Sequence, residues 1–210
     1  IIIGGIQNYI LGLIEVFHQD FNIKIIQKSS KNFKIESDKY NVYGFKLKGN
    51  KVGKELHDNI RFELKENDYL VWASDRISCK TKHKKTISIQ HGITFDFIDY
   101  QNIKIGKILK KSLLLSIVYR QFQYFNAIRF FLNSSKVVCV DYNFLNWVRT
   151  ILPRKLTQRA FVITNYSKIP DLKLTKSNDI KILFARRFVD YRGVYLMVEL
   201  VKQISKKYDN

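Results

Sequence analysis

One histidine, His91, directly follows the short segment 86–90, which is rich in β-branched residues, and precedes Gly92. Such segments are typical of strands that are buried on both faces of a parallel sheet. Open α/β sheets bind ligands in the crevice at the carboxyl ends of their strands. An imidazole in that place can hydrogen-bond a substrate hydroxyl or stabilise a developing charge. The alternative is a purely structural histidine at a strand–loop junction.

Two neighbouring glycines, Gly4 and Gly5, come directly before an amphipathic helix pattern that continues to Phe17. Glycines allow a ligand to approach the backbone closely, and the N–H groups at a helix start favour an anion such as phosphate. The pair is neither a complete dinucleotide fingerprint nor a P-loop. A tight turn without a ligand explains it equally well.

Three arginines surround a strand–helix junction near the end of the sequence. Arg186 and Arg187 end an apolar segment, and Arg192 precedes Gly193 and the helix pattern 194–206. Guanidinium groups form bidentate bonds with phosphate, so this arrangement suits a diphosphate at a helix start. Taken alone, the segment is better explained as a solvated basic turn.

A scaffold of alternating strands and helices must position these residues. Strand patterns occur at 21–27, 41–47, 69–73, 86–90, 137–140, 160–164 and 181–185. Helix patterns occur at 5–17, 52–65, 105–132, 143–152 and 194–206. This alternation predicts an α/β fold with a parallel sheet and right-handed crossovers.

The domain organisation follows from a change in composition. The polar stretch 166–179 contains Pro170 and has no clear period, which predicts a linker between a domain at 1–165 and the start of a second domain at 180–210. The sequence begins with Ile1 and lacks the basic region of a signal peptide. We interpret this as an internal start, and therefore expect a fragment of a longer protein.

The composition excludes several classes of protein. The 210 residues include 37 Lys+Arg against 18 Asp+Glu, which gives a net charge of +19, and 46% are hydrophobic, which excludes a disordered chain. Two cysteines exclude a disulfide framework and a four-cysteine zinc site. No apolar run reaches the roughly 18 residues of a spanning helix. We expect a soluble or peripheral protein in a reducing compartment.

Two basic clusters account for much of the charge. The first includes Lys80, Lys82, Lys84 and Lys85, and the second includes Lys107, Lys110 and Lys111. The second belongs to an aromatic-rich stretch, 100–140, that has no acidic residue. A basic helix of this kind can lie in the interface of an anionic membrane. Aromatic side chains that pack on the sheet, with lysines in solvent, would produce the same pattern.

The positive charge also supports a second function, because it is the electrostatic footprint of a nucleic-acid-binding α/β domain. Against this, no helix-turn-helix, RNP or zinc-finger pattern occurs, and the basic residues are spread over several elements. A third hypothesis is a non-catalytic protein that keeps the scaffold, because a fold does not determine function.

The motifs, taken in their order, resemble those of the retaining GT-B glycosyltransferases known as family 4, or glycosyl transferases group 1. GGIQNYILGLIEVF is similar to the family's glycine-rich loop and first helix. NDYLVWASDR followed by TISIQHGITFD resembles its paired strands with the donor-site histidine. SSKVVCVDYNFLNWVRTILP and RAFVITNY are similar to its later strands. ILFARRFVDYRGVYLMVELVKQI resembles the opening of its second domain.

The resemblance implies a GT-B-like, Rossmann-like acceptor-side domain and the beginning of a donor-side domain. It implies transfer of a sugar from a nucleotide-diphosphate sugar to a hydroxyl of a glycan or lipid-linked acceptor, in the synthesis of a surface polysaccharide or glycolipid. It gives His91 a catalytic role and substrate-binding roles to Gly4, Gly5, Asn165, Arg187 and Arg192. It also implies no metal or other cofactor, no nucleic-acid partner, and a cytoplasmic location that is peripheral at the inner face of the cell membrane.

The sequence departs from the family pattern at four positions. Arg186 and Tyr166 replace glycines, Arg192 replaces a lysine, and Asp141 replaces a serine. The family's first strand and its second-domain glutamates fall outside these 210 residues. We therefore expect the chain, taken by itself, to have no transferase activity.

Overall fold

The computed structural model describes residues 5–93, 108–109, 111–165 and 193–208. The chain divides into two units, Ile1–Ser167 and Lys168–Asn210. In the second unit, the described residues include one helix, Val194–Tyr208. The predicted linker at 166–179 and the predicted strand at 181–185 lie outside the described residues.

The first unit alternates helices with short strands. Its helices are α1 (Gly5–Phe17), α2 (Val52–Ile60), α3 (Leu113–Leu132), α4 (Tyr142–Ile151) and α5 (Arg154–Thr157). Its strands are β1 (Ile23–Ser29), β2 (Phe33–Glu36), β3 (Tyr40–Lys46), β4 (Leu70–Trp72), β5 (Thr86–Gln90), β6 (Lys136–Cys139) and β7 (Ala160–Val162). A one-turn 3-10 helix, Asp75–Ile77, follows β4.

The strands form two sheets. The larger has the order β4-β5-β6-β7 and is parallel throughout, with helices in the connections between its strands. The smaller has the order β1-β3-β2, in which β3 is parallel to β1 and antiparallel to β2. The predicted α/β class is confirmed at this level, and the parallel sheet is compatible with a Rossmann-like fold.

The expectation of a purely parallel arrangement is wrong for β2. This strand was not predicted, and only three residues separate its last residue, Glu36, from Tyr40 at the start of β3. A connection that short can join antiparallel neighbours but cannot make the crossover that parallel strands require.

The core of the first unit includes side chains from α3, α4, β6 and β7. Phe131, Phe144, Val137 and Val148 are each at most 1% exposed, and the rings of Phe131 and Phe144 lie 6.1 Å apart. These four residues belong to one cluster of buried side chains. The cluster therefore fixes α3 and α4 against the parallel sheet.

Thr86 and Ser135 form a reciprocal set of hydrogen bonds at the amino end of β5. The backbone N–H of Thr86 donates to the hydroxyl of Ser135 over 3.1 Å, and the N–H of Ser135 donates to the Thr86 hydroxyl over 2.8 Å. The Ser135 hydroxyl also donates to the Thr86 carbonyl over 2.7 Å. The pairing of β5 with β6 begins at the next residues, Ile87 and Lys136.

Gly53 brings α2 into contact with the 3-10 helix. A methyl group at position 53 would overlap the backbone carbonyl of Ile77. Because no side chain fits there, glycine allows the close approach. This contact places α2 next to the segment that leads from the 3-10 helix to β5.

Candidate functional site

His91 is the first residue after β5, at the carboxyl end of the parallel sheet. Its Nε2 atom lies 2.8 Å from the carbonyl oxygen of Ala73, the first residue after the neighbouring strand β4. A carbonyl can only accept a hydrogen bond, so Nε2 carries the proton. In the neutral imidazole, Nδ1 is then the acceptor, and none of the described residues bonds it.

The turn after β5 is held by the side chain of Gln90. Its amide nitrogen donates to the carbonyl of Gly92, and its amide oxygen accepts from the N–H of Gly92 over 3.0 Å. Gly92 has φ of +111°, a conformation that favours glycine. Since Gln90 is only 3% exposed, the turn that carries His91 is anchored in the interior.

Helix α1 contacts this turn through Tyr9. The ring of Tyr9 meets the imidazole of His91 edge-on, with 5.6 Å between centroids and 89° between planes. Partial burial raises the pKa of the Tyr9 hydroxyl. Gly5, the first residue of α1, is one helical turn before Tyr9, so the structure brings the start of α1 close to His91.

Asp75 is a buried carboxylate beside the same sheet edge. It begins the 3-10 helix, two residues after Ala73, and is 7% exposed. Burial raises its pKa from 3.8 to about 6, and hydrogen bonds from backbone N–H groups and the charges of Arg76 and His91 partly oppose the shift. A carboxyl group in this range can exchange a proton near neutral pH.

A cavity of about 260 Å³ opens between the 3-10 helix, the end of β5, α3 and α4. Its polar lining comes from Asp75, Arg76, Gln90, Gln123, Asn126 and Arg129. Aromatic side chains, among them Phe130 and Phe144, supply apolar surface. Carboxylate, amide and guanidinium groups beside aromatic rings suit a small ligand that has several hydroxyl groups.

Asp141 lies on the next strand connection and begins α4. Its Oδ1 atom accepts a hydrogen bond from the backbone N–H of Asn143 over 2.9 Å, which is the standard contact of a helix N-cap. Serine and aspartate both cap helices well, so either residue type could make this contact.

Two other predicted site residues have described positions. Gly5 has no atom within 4 Å of where a Cβ would lie, so the described structure gives no steric reason for glycine there. Asn165 is exposed and follows β7, two strands away from β5, which is a lateral offset of about 10 Å. Gly4, Arg187 and Arg192 lie outside the described residues.

The described lysines of the two basic clusters lie apart. Asn133, at the end of α3, donates to the carbonyl of Ser78 over 3.0 Å, next to the first cluster. Lys111 lies just before the other end of α3, and a helix of 20 residues is about 30 Å long. Lys107 and Lys110 lie outside the described residues. The two clusters therefore do not form one continuous patch of described lysines.

The part of α3 from Leu113 to Phe125 exposes an apolar surface. Leu113, Leu114, Phe122 and Phe125 are 79, 70, 59 and 74% exposed. Within the described residues, no helix has both the length and the apolarity to cross a bilayer.

Sequence reasoning missed Tyr9, Asp75 and Gln90, which join His91 at this edge. Tyr9 lies on an amphipathic helix, and Asp75 follows the predicted strand 69–73 with no local pattern that indicates its burial. Only Gln90 had a signal in the sequence. A polar residue at the end of a predicted buried strand needs a specific hydrogen-bond partner, so its side chain could have been predicted to hold the turn that follows.

Comparison with known protein families, curated proteins and solved structures finds nothing that matches this chain.

Proposed function

We propose that the chain is part of a GT-B glycosyltransferase that transfers a sugar from a nucleotide-diphosphate sugar to an acceptor hydroxyl. The observation that carries the proposal is the position of His91 at the carboxyl end of a parallel strand, held by Ala73 and beside α1. Ligands of open α/β sheets bind at this edge. The sequence motifs around Gly5 and His91 support the same assignment.

In this proposal, His91 contacts the transferred sugar. Its Nε2 proton is engaged by Ala73, which leaves Nδ1 to accept a hydrogen bond from a sugar hydroxyl. The hydroxyl-rich acceptor occupies the polar cavity that Asp75 and Gln90 line. Arg187 and Arg192 bind the diphosphate, where cations stabilise the negative charge that develops on the leaving group.

Nucleotide binding tests the donor part of the proposal. We expect at least one of UDP, GDP and ADP to bind the chain saturably in calorimetric titration, and Arg187→Ala to remove one saturable binding site for that nucleotide. Arg154→Ala removes the same charge from an exposed position on α5 and serves as the control. Absence of binding for all three nucleotides, or equal losses in both variants, contradicts the proposal.

The sugar contact of His91 has its own test. A nucleotide sugar should bind more tightly than the same nucleoside diphosphate, because the sugar adds contacts. We expect His91→Ala to reduce this difference by about 1 kcal/mol, the contribution of one hydrogen bond, and to leave nucleoside diphosphate affinity unchanged. If His91→Ala instead weakens binding of the nucleotide sugar and of the nucleoside diphosphate equally, His91 does not contact the sugar.

The exposed surface of α3 supports a second part of the proposal, a peripheral location at an anionic membrane. Leucines and phenylalanines between Leu113 and Phe125 are exposed, Lys111 lies just before them, and residues 111–136 contain no acidic side chain. Apolar side chains next to a cation suit the interface of an anionic bilayer.

Vesicle sedimentation tests this location. We expect the chain to co-sediment with vesicles that contain phosphatidylserine, and the double substitution Leu114→Ser/Phe125→Ser to weaken binding at least about tenfold, since both side chains are exposed. Val16→Ser/Phe17→Ser, on the exposed part of α1, is the matched control. Equal effects of the two double substitutions would show that α3 is not the binding surface.

A further inference from the structure

A second concave surface lies at the opposite edge of the parallel sheet from His91. It is a groove of about 940 Å³ between α2 and the segment 79–84, which precedes the amino end of β5. We call it the amino-edge groove. A hydrogen bond of 2.8 Å between Thr81 Oγ1 and His57 Nε2 joins its two walls. The contact of Gly53 with Ile77 fixes α2 in place.

The lining of the amino-edge groove carries an excess of positive charge. The groove is lined by five side chains of basic residues and by two histidines: Lys54, Arg61, Lys80, Lys82, Lys84, His57 and His83. Only two carboxylates, Asp58 and Glu66, also line it. Like charges brought this close repel one another, so an anionic ligand in the groove would relieve the repulsion.

Neighbouring carboxylates leave most of this charge unneutralised. Asp58 lies 3.9 Å from both His57 and Arg61, and Glu55 bonds the backbone N–H groups of Lys48 and Gly49. Within the described part of the chain, no ion pair involves the four groove lysines. By contrast, the side chain of Lys85 donates to Asn67 over 3.0 Å and does not line the groove.

We propose that the amino-edge groove binds a small molecule with two or more phosphate groups. Lysine ammonium groups are compact point charges that suit phosphate oxygens, and several of them around one concavity can surround a diphosphate. Arg61 adds a guanidinium, stacked over the ring of Phe62 at 4.5 Å. The proposal does not involve Arg187 or Arg192, the residues proposed above to bind the donor diphosphate.

The shape and composition of the groove favour a small ligand over a macromolecule. A flat bilayer cannot enter a concavity between a helix and a loop. Single-stranded nucleic acid binds along basic channels in which successive bases stack on several aromatic rings. Phe62, which is 85% exposed, is the one phenylalanine, tyrosine or tryptophan in the groove lining. The proposal therefore gives Lys80, Lys82 and Lys84 a different partner from the membrane surface expected from the sequence.

Alkylation of Cys79 provides a direct test with inorganic pyrophosphate as the probe. Cys79 is partly exposed and lines the groove, whereas Cys139 is buried and serves as the internal control. At about 0.15 M salt, saturating pyrophosphate should slow iodoacetamide modification of Cys79 at least about fivefold. Lys82→Ala/Lys84→Ala should raise the pyrophosphate concentration needed for half-protection at least about tenfold, because two charge-assisted contacts are lost.

The matched control is Lys28→Ala/Lys31→Ala, which removes the same charge from exposed positions near β1. It should leave protection unchanged. Equal losses in both double variants would overturn the proposal in favour of general attraction to a basic protein. Protection by oligouridylate or phosphatidylserine vesicles but not by pyrophosphate would overturn it in favour of a macromolecule. Arg187→Ala should not alter pyrophosphate protection of Cys79, so failure of this proposal and failure of the glycosyltransferase proposal are distinguishable.

Discussion

The imidazole of His91 and the carbonyl of Ala73 are joined by a hydrogen bond of 2.8 Å. Ala73 follows β4 and His91 follows β5, so the bond connects the ends of two neighbouring parallel strands. It fixes both the orientation of the ring and the nitrogen that carries its proton. Nδ1 is therefore the ring nitrogen that is left to accept a further hydrogen bond.

This contact predicts the tautomer of His91. Near pH 9, where a free imidazole is neutral, we expect Nε2 to be protonated and Nδ1 to be unprotonated, because only an N–H can bond the Ala73 carbonyl. Long-range ¹H–¹⁵N correlation spectra of the labelled chain report this directly, with His91→Gln used to assign the signal. Observation of the Nδ1–H tautomer would refute the assigned orientation.

The buried carboxyl of Asp75 predicts a pH dependence of stability. Burial raises its pKa from 3.8 to about 6, so the folded chain binds more protons than the unfolded chain between these values. Stability should therefore fall as the pH rises from about 4 to about 6, and stay lower above it. We expect Asp75→Asn to remove this slope and to raise the free energy of unfolding at pH 7 by up to about 3 kcal/mol. Urea titrations at several pH values measure both effects.

The control for this prediction is Asp38→Asn, since Asp38 is exposed in the loop between β2 and β3. That variant should keep the slope between pH 4 and pH 6. If Asp75→Asn is instead less stable than the parent protein at pH 7, the charged form of Asp75 is stabilised by its neighbours and the sign of the prediction is wrong.

Gly53 and Gly5 should respond differently to alanine. A methyl group at Gly53 would overlap the Ile77 carbonyl, so α2 or the 3-10 helix must move. We expect Gly53→Ala to lower the free energy of unfolding by about 1–3 kcal/mol, the usual cost of overpacking. Gly5→Ala should change it by less than about 1 kcal/mol, because the space around Gly5 is open. Thermal and urea denaturation of the two variants make the comparison, and similar losses would contradict the close contact at Gly53.

Two phenylalanines on α3 provide a test of the core. Phe131 is fully buried against Phe144, whereas Phe125 is 74% exposed. We expect Phe131→Ala to cost about 3–5 kcal/mol and Phe125→Ala less than about 0.5 kcal/mol. Urea denaturation followed by circular dichroism measures both. A large loss at Phe125 would mean that the described surface of α3 is covered in solution.

Much of the fold could be predicted from sequence because strong patterns are local. The segment 86–90 was predicted as a strand and is β5, with the same bounds, since its β-branched residues favour an extended backbone. The helix at 5–17 also agrees with α1. By contrast, β2 has two charged residues in four, Lys34 and Glu36, and depends on its pairing with β3, which no local pattern indicates.

The candidate site could be predicted only in part. The position of His91 after a buried strand follows from local pattern, and the structure places it there. Its partners Tyr9 and Ala73 are 82 and 18 residues away along the chain, so their contacts exist only once the helices and sheet have packed. The raised pKa of Asp75 likewise results from burial, which the sequence around it does not indicate.

The reciprocal hydrogen bonds between Thr86 and Ser135 fix the register of β5 on β6, and this register sets where the residues after the two strands lie. They hold the start of β5 against the start of β6, and a slip of either strand by any number of residues would break all of them at once. With this alignment, Gln90 pairs with Cys139 at the far end of the ladder; His91 directly follows Gln90, and Asp141 lies two residues after Cys139. A slip at the amino end would shift all four residue pairs of β5 and β6 and would move His91 relative to Asp141.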